Sequence, residues 1–363
     1  QDEFDSLGSL KKPRNKKLFI STIALAFLIL AAILITIFLL TRNNSPRATY
    51  DRKNDSKLLD LIEVSPAAQR LPKKGKLFCW VQTSTIYHDT RSLAINETWI
   101  HRCDHGQLFT SERFNDTRIP YSTVFKGIPD DYYNLFFKSR YAFHHIYTNI
   151  SSEFDWYLKV SYSTLFLQNS EQDLLDHSLH GFRIAFQFYW QSCSKIRNFL
   201  KKKADDDTFV IVENLRSFLS TLNPDEPHYL GYVLKPYLKN GYNAGGAGYI
   251  LSRAALKIFS EQLYSNATLC PDDIYEDVGI ARCLANAGMY PEDTRNSLGQ
   301  NRFNTFSPSD TFHQTKAGID WVKFKENKGY EAFANDLISF HKLSPDEIRL
   351  FDILLYRTNR KNE

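Results

Sequence analysis

Three consecutive carboxylates, Asp205, Asp206 and Asp207, stand between Lys203-Ala204 and the apolar run Phe209-Val210. Adjacent carboxylates repel one another, so a fold tolerates them at a strand end when something cationic neutralises them. Hard divalent cations such as Mn²⁺ or Mg²⁺ take oxygen ligands. On an extended chain alternate residues project to one side, which pairs Asp205 with Asp207. A metal so held bridges a diphosphate and stabilises charge on a departing nucleotide. A solvated acidic turn or helix cap is the competing reading of the triplet alone. Downstream, Asn243-Ala244-Gly245-Gly246-Ala247-Gly248-Tyr249 is a glycine-rich loop before an apolar run, suited to close approach of backbone to a ligand or to a plain tight turn. Tyr275-Glu276-Asp277-Val278 offers a second carboxylate pair, either a general base or an ordinary acidic helix start. His341 ends the apolar stretch Ile338-Ser339-Phe340, where a lone histidine is more commonly structural than a ligand.

The elements that must position these groups follow from periodicity. Residues 77–81 form a short apolar run of the buried-strand type, ahead of the polar turn Gln82-Thr83-Ser84. Residues 94–101 and 136–147 are expected to be helices, the second with its aromatics on one face. Strands are expected at 107–110, 155–159 and 228–233. Residues 208–222 are read as a strand end and helix, and 247–263 as glycine-rich turn, strand and helix. Alternating strands and helices make an α/β domain with a largely parallel sheet.

Residues 18–41 carry no charge over 24 positions, long enough to span a bilayer as a helix. Lys11, Lys12, Arg14, Lys16 and Lys17 precede them, so the expectation is a cytosolic tail (1–17), a signal anchor (18–41) and a lumenal remainder. A cleaved signal peptide fits less well, because the apolar region is too long and lacks a small-residue cleavage site. Residues 42–76 are polar and read as a flexible stem. Sequons at Asn54, Asn96, Asn115, Asn149 and Asn266 agree with lumenal placement, which makes the five cysteines disulfide candidates first. The whole chain has 45 Lys+Arg against 41 Asp+Glu, a balance that argues against a nucleic-acid binder. A mean hydropathy of −0.39 excludes a polytopic membrane protein.

Taken in order, Phe78-Cys79-Trp80-Val81, Thr98-Trp99, Arg102-Cys103, Asp155-Trp156-Tyr157-Leu158-Lys159, Ala204 through Val210, Lys235-Pro236-Tyr237, Gly245 through Tyr249, Glu276-Asp277, Arg282-Cys283 and Ser339-Phe340-His341 resemble the fringe-like β1,3-glycosyltransferases, most closely the core 1 β1,3-galactosyltransferases. The resemblance runs from about residue 77 to 357 and implies a GT-A fold, a mostly parallel Rossmann-like domain. It implies UDP-galactose as donor, Mn²⁺ as cofactor and GalNAc on Ser or Thr of glycoproteins as acceptor, in the Golgi membrane, with room for a homodimer. By position, Asp205, Asp207 and His341 resemble the metal ligands. Gln82, Lys138 and Asp205 fall where the family meets the nucleotide, and Gly245 and Gly246 where it meets the acceptor. Asp277, with Glu276 beside it, aligns with the catalytic base of an inverting transfer. Cys79 with Cys103 and Cys270 with Cys283 resemble family disulfides. The alternatives are a fringe-like transferase with another donor or acceptor, such as N-acetylglucosamine transfer, and a silent relative acting as a chaperone. Loss of the acidic triplet would mark the last, and the triplet is present.

The sequence also departs from that family. Residues 311–335 lack its aromatic-rich stretch and adjacent cysteine pair; Trp321 and Tyr330 are the nominated replacements for acceptor-binding aromatics. Tyr132 and Tyr133 stand where the family carries charged residues near the donor. Most conspicuously, residues 160–203 intervene between Lys159 and Ala204, and deleting these 44 residues joins Trp-Tyr-Leu-Lys to Ala-Asp-Asp-Asp without a seam. Val160-Ser161 is what an intron beginning GTAAGT would encode, and Lys203 suits an AAG ending. The expectation is therefore a retained in-frame intron rather than an evolved loop. If the segment is translated, Phe199-Leu200 is the candidate to replace Tyr157-Leu158 in the sheet. Cys193 lies within it.

Overall fold

A computed structural model describes residues 55–160, 207–314 and 319–358, all within a unit bounded by Tyr50–Glu363. The expectations for residues 1–54, including the tail and the anchor at 18–41, fall outside the described residues. So do Asp205, Asp206, Cys193, Phe199 and nearly all of the 160–203 insertion. Among the described residues no helix is long and apolar enough to cross a membrane.

The central sheet has six strands: β1 (Lys74–Gln82), β2 (His105–Phe109), β3 (Tyr121–Ser122), β4 (Glu153–Val160), β6 (Tyr229–Gly231) and β9 (Tyr249–Ser252), in the order β3-β2-β1-β4-β9-β6. β1 pairs in parallel with both β2 and β4, and β2 with β3. β9 is antiparallel to both neighbours, so five strands run one way and one is reversed. The expected α/β domain forms, its sheet mixed, with three parallel and two antiparallel ladders. A strand flanked in parallel on both sides is covered on both faces, and β1 accordingly loses its alternation: Leu77 through Gln82 are all buried. A smaller sheet of β10 (Phe303–Asn304), β11 (Ser339–Phe340) and β5 (Phe209–Val210) lies beside it, and β7 (Val233–Leu234) pairs with β8 (Tyr242–Asn243).

Two expectations are corrected. The helix α1 (Leu135–His145) does not present aromatics on one face; all but His144 of its residues are buried. It packs against α2 (Glu276–Asn286) as well as contributing Phe143 to Trp80 of the sheet, so even Arg140 is enclosed, its guanidinium over the rings of Phe137 and Tyr264 and donating to Asp272. The stem is the second. Its described part is docked, because Ser65 bonds Tyr121 and Ile119 along the sheet edge while Leu58 and Ala68 are buried.

The seam between α1 and α2 depends on one glycine. A Cβ on Gly279 would stand 2.5 Å from the Phe136 ring and 2.6 Å from Asp273 Cβ. Glycine inside a helix is worth about 1 kcal/mol less than alanine, so the close approach of the helices is what it serves. Gly279→Ala should therefore lower stability by about 1–2 kcal/mol despite the helix preference, a loss readable in urea denaturation.

Both disulfides implied by the resemblance form. Cys79–Cys103 ties β1 to the turn before β2, and Cys270–Cys283 ties a loop to α2. The insertion does not break the strand it follows. Tyr157 and Leu158 keep their places opposite Phe78 and Cys79, and Val160 extends the ladder opposite Val81.

Candidate active site

In a parallel sheet, ligands lie beyond the carboxyl ends of the strands, where connections leave in opposite directions. Here that point is between β1 and β4, whose carboxyl ends carry Gln82 and Val160. Gln82 is buried, and Ser139 of α1 donates to its Oε1 at 3.1 Å. Lys138, on the same helix, is buried with its Nζ 2.5 Å from Asp130 Oδ1. Asp130 also accepts from Ser84 Oγ at 2.6 Å and the Thr85 amide at 3.2 Å. These bonds and the Lys138 charge hold the Asp130 carboxyl below the usual carboxylate range against its own desolvation. The expected nucleotide contact of Lys138 is thus answered first by Asp130. An open cleft of about 870 Å³ lies alongside, walled in part by Thr85, Ser111, Arg113, Lys126 and Asp130.

Asp207 and His341 are brought together by the smaller sheet. Phe209 pairs with Phe340 across the antiparallel β5–β11 ladder, so the residues flanking them meet. Asp207 Oδ1 lies 2.9 Å from His341 Nε2, with the Asp207 side chain 7% and the histidine 0% exposed. The Asp207 carbonyl accepts from Leu343, and the Thr208 carbonyl from the Trp99 indole at 3.0 Å, which gives the Thr98-Trp99 motif a structural task. His341 Nδ1 lies 2.9 Å from the Thr305 carbonyl; a carbonyl only accepts, so Nδ1 carries the proton and Nε2 turns toward the carboxylate. A buried carboxylate against an imidazole whose far nitrogen is fixed by a carbonyl suits a divalent cation. Among the described residues no three such side chains cluster, the third expected ligand, Asp205, being outside them.

The glycine loop closes over this pair. Thr208 Oγ1 donates to the Gly246 carbonyl at 2.6 Å, and Ser339 Oγ to that of Ala247 at 2.8 Å. A Cβ on Gly246 would stand 2.1 Å from His341 Cε1. Gly246→Ala should displace either the loop or the imidazole, lowering any activity that depends on the Asp207–His341 pair at least about tenfold; an unchanged rate would show that the two need not be in contact.

The loop's next-door residue reaches the second carboxylate pair. The Gly245 amide donates to Asp277 Oδ2 at 3.2 Å, and the Val278 amide to Oδ1 at 3.0 Å, in the first turn of α2. Desolvation first, and the neighbouring Glu276 charge second, push the Asp277 carboxyl up to about 7 against those bonds and the Lys159 charge. Asp277 nevertheless keeps a partly exposed surface. A partly exposed carboxylate that exchanges its proton near neutrality is suited to general base chemistry. Glu276 is 3% exposed and turned to Lys159 and Tyr249, a setting that does not match the same role.

An aromatic wall stands beside Asp277. Tyr237 stacks on Tyr275, with ring centres 5.6 Å apart and planes inclined by 22°, and meets Trp321 edge-on at 6.0 Å. Tyr132 adds to it at 6.5 Å from Tyr275 and packs against Tyr133. Tyr237 adopts a φ of +68°, unusual for a residue with a Cβ. Of the two aromatics nominated from sequence, Trp321 joins this wall, whereas Tyr330 packs on Phe312 and is 84% exposed. Tyr237 and Tyr275 were visible only as members of motifs; an aromatic directly before Glu276-Asp277 was the available signal.

A family model described as Fringe-like matches residues 73–289, and the chain belongs to that family of glycosyltransferases. It is 26% identical over 332 residues to glycoprotein-N-acetylgalactosamine 3-beta-galactosyltransferase 1 of Xenopus laevis, covering 88% of this chain and 79% of the relative. It is also 31% identical to human N-acetyllactosaminide beta-1,3-N-acetylglucosaminyltransferase 4, over 108 residues, 24% of this chain and 28% of the relative.

Proposed function

We propose that this protein is an inverting β1,3-galactosyltransferase that moves galactose from UDP-galactose to the 3-hydroxyl of GalNAc on Ser or Thr of glycoproteins. The observation that carries the reading is Asp277, at the start of α2 and held by the Gly245 amide of the loop whose next residue, Gly246, packs on His341 beside Asp207. The relative matched over most of the chain supports the choice of sugar and acceptor. Asp277 takes the proton from the acceptor hydroxyl as that oxygen attacks the donor's anomeric carbon from the face opposite the UDP. The Gly245 and Val278 amides hold its carboxylate in one orientation. Tyr237, Tyr275 and Trp321 offer flat apolar faces against which the acceptor sugar ring can rest, excluding water on that side. Gln82, with the Asp130–Lys138 pair behind it, lines the donor side.

Asp207 and His341, with Asp205, are proposed to hold Mn²⁺, which when bound neutralises the diphosphate of the leaving nucleotide. The reading carries with it a single-pass type II placement in the Golgi membrane through residues 18–41. Turnover of a panel of UDP-sugars against GalNAc- and N-acetyllactosamine-terminated acceptors tests it. UDP-galactose with a GalNAc-peptide is the pair expected to react. A preference for UDP-N-acetylglucosamine would shift the assignment to a different fringe-like transfer.

A further inference from the structure

The adjacent carboxylates Glu276 and Asp277 differ in surroundings more than in sequence. Glu276 Oε1 lies 2.5 Å from Lys159 Nζ and accepts from the Tyr249 hydroxyl at 2.8 Å. Lys159 and Tyr249 are themselves fully buried, and they face each other across the β4–β9 ladder. The ammonium also stands 5.0 Å from the Tyr249 ring and 6.0 Å from the Trp80 ring. Two neighbouring strands, β4 and β9, thus converge on one carboxylate at the start of α2, and Trp80 of β1 stands beside the ammonium.

A buried ion pair is weak grounds for stability, because desolvation of both ions offsets their attraction. Its better use is to fix one arrangement among several. Successive residues of a helix are separated by about 100° around its axis, so pinning the Glu276 side chain to the sheet sets where the next side chain goes. That next side chain is Asp277, which turns to the Gly245 amide. We propose that Lys159, Tyr249 and Glu276 form a positioning network that holds Asp277 in place as the base, and that Glu276 takes no proton from the acceptor. The inference rests on the transfer reading above.

The network also sets the charge around the base. Asp277 faces Glu276 on its own helix, Lys159 from β4, Tyr229 from β6, Tyr242 from β8 and Tyr249 from β9. Glu276 favours the protonated form of Asp277 and Lys159 opposes it, with Glu276 the stronger influence. Removing the Glu276 charge therefore lowers the titration of Asp277. Removing both charges lowers it less.

The test uses the full chain with UDP-galactose, Mn²⁺ and a GalNAc-threonine peptide, reading kcat and KM from pH 5 to 9 for wild type, Glu276→Gln, Lys159→Met/Glu276→Gln and Asp277→Asn. Glu276→Gln is expected to lose about 10- to 100-fold in kcat with donor KM nearly unchanged, and its acid limb should move down by about one pH unit. The double variant carries no buried lone charge, so it keeps the test open should the single variant fail to fold. Its acid limb should fall between those of the single variant and wild type, with kcat above the single variant's. A Glu276 variant with wild-type kcat and an unmoved acid limb overturns the network while leaving Asp277 as base. Wild-type turnover in Asp277→Asn, or none from the wild type with any UDP-sugar, overturns the transfer reading and this inference with it.

Discussion

Asp277→Asn should reduce kcat by about 10³-fold or more while leaving the fold intact, because the amide preserves shape but cannot accept the acceptor's proton. The geometry specifies the pH dependence as well. Wild-type kcat should climb with pH through an apparent pKa of about 7 and level off above it, since the carboxylate must be free of its proton to act. The same group leaves a mark on stability. Folded Asp277 holds its proton up to about 7, whereas in the unfolded chain the ordinary value is 3.8. The native state therefore binds more protons between those values, and stability falls as pH rises through that window. At roughly 1.4 kcal/mol per unit the limit is about 4 kcal/mol, and the partial exposure of Asp277 reduces it. Asparagine does not titrate, so the Tm of Asp277→Asn relative to wild type should be higher at pH 8 than at pH 5. Parallel pH profiles of Tm for the two proteins would contradict the burial of this charge.

Asp207→Asn is the second large expected effect. Asp207 sits between two anchored neighbours, its carbonyl taken by Leu343 and its carboxylate set against His341, whose far nitrogen is committed to Thr305. The amide keeps the volume and loses the charge that a hard cation requires. Transfer should fall by at least about 10²-fold, and Mn²⁺ binding to the full chain, followed by electron paramagnetic resonance of the free ion, should weaken in step. Retention of Mn²⁺ affinity in this variant would remove Asp207 from the metal site, whatever happened to the rate.

These two residues were within reach of the sequence for different reasons. Asp207 stood out because three like charges at a strand end demand a counter-charge, and Asp277 because it belongs to a second carboxylate pair that the resemblance aligns with a base. Strands β1 and β4 were legible as apolar runs, since central parallel strands are buried on both faces. Lys159 was not legible in its role. A lysine at the end of an apolar run reads as the point where a strand meets water, and only the β4–β9 register shows it facing Tyr249 with Glu276 beyond. The reversal of β9 likewise has no local signal, because pairing direction is set by where the chain returns.

Aromatic residues show the same limit. Tyr237, Tyr275 and Trp321 come from three separate loops, and no periodicity links them; their meeting depends on backbone bonds such as that from the Lys235 amide to the Trp321 carbonyl. Helix α1 misled for a related reason: a helix enclosed by a sheet and a second helix carries apolar residues around its girth, and the polar ones among them, Lys138 and Arg140, are satisfied by ion pairs that sequence does not display. His341 looked structural in isolation. Its value emerges from the β5–β11 ladder, which sets it opposite the acidic segment.

The most direct test of the account is transfer itself. The full chain, its Asp277→Asn variant and UDP-galactose are incubated with Mn²⁺ and a GalNAc-threonine peptide, and the product linkage is determined by NMR. Galactose joined β1,3 to GalNAc is expected from the wild type, and no product above background from the variant. Equal product from both proteins, or none from the wild type with any UDP-sugar, would contradict the transfer reading.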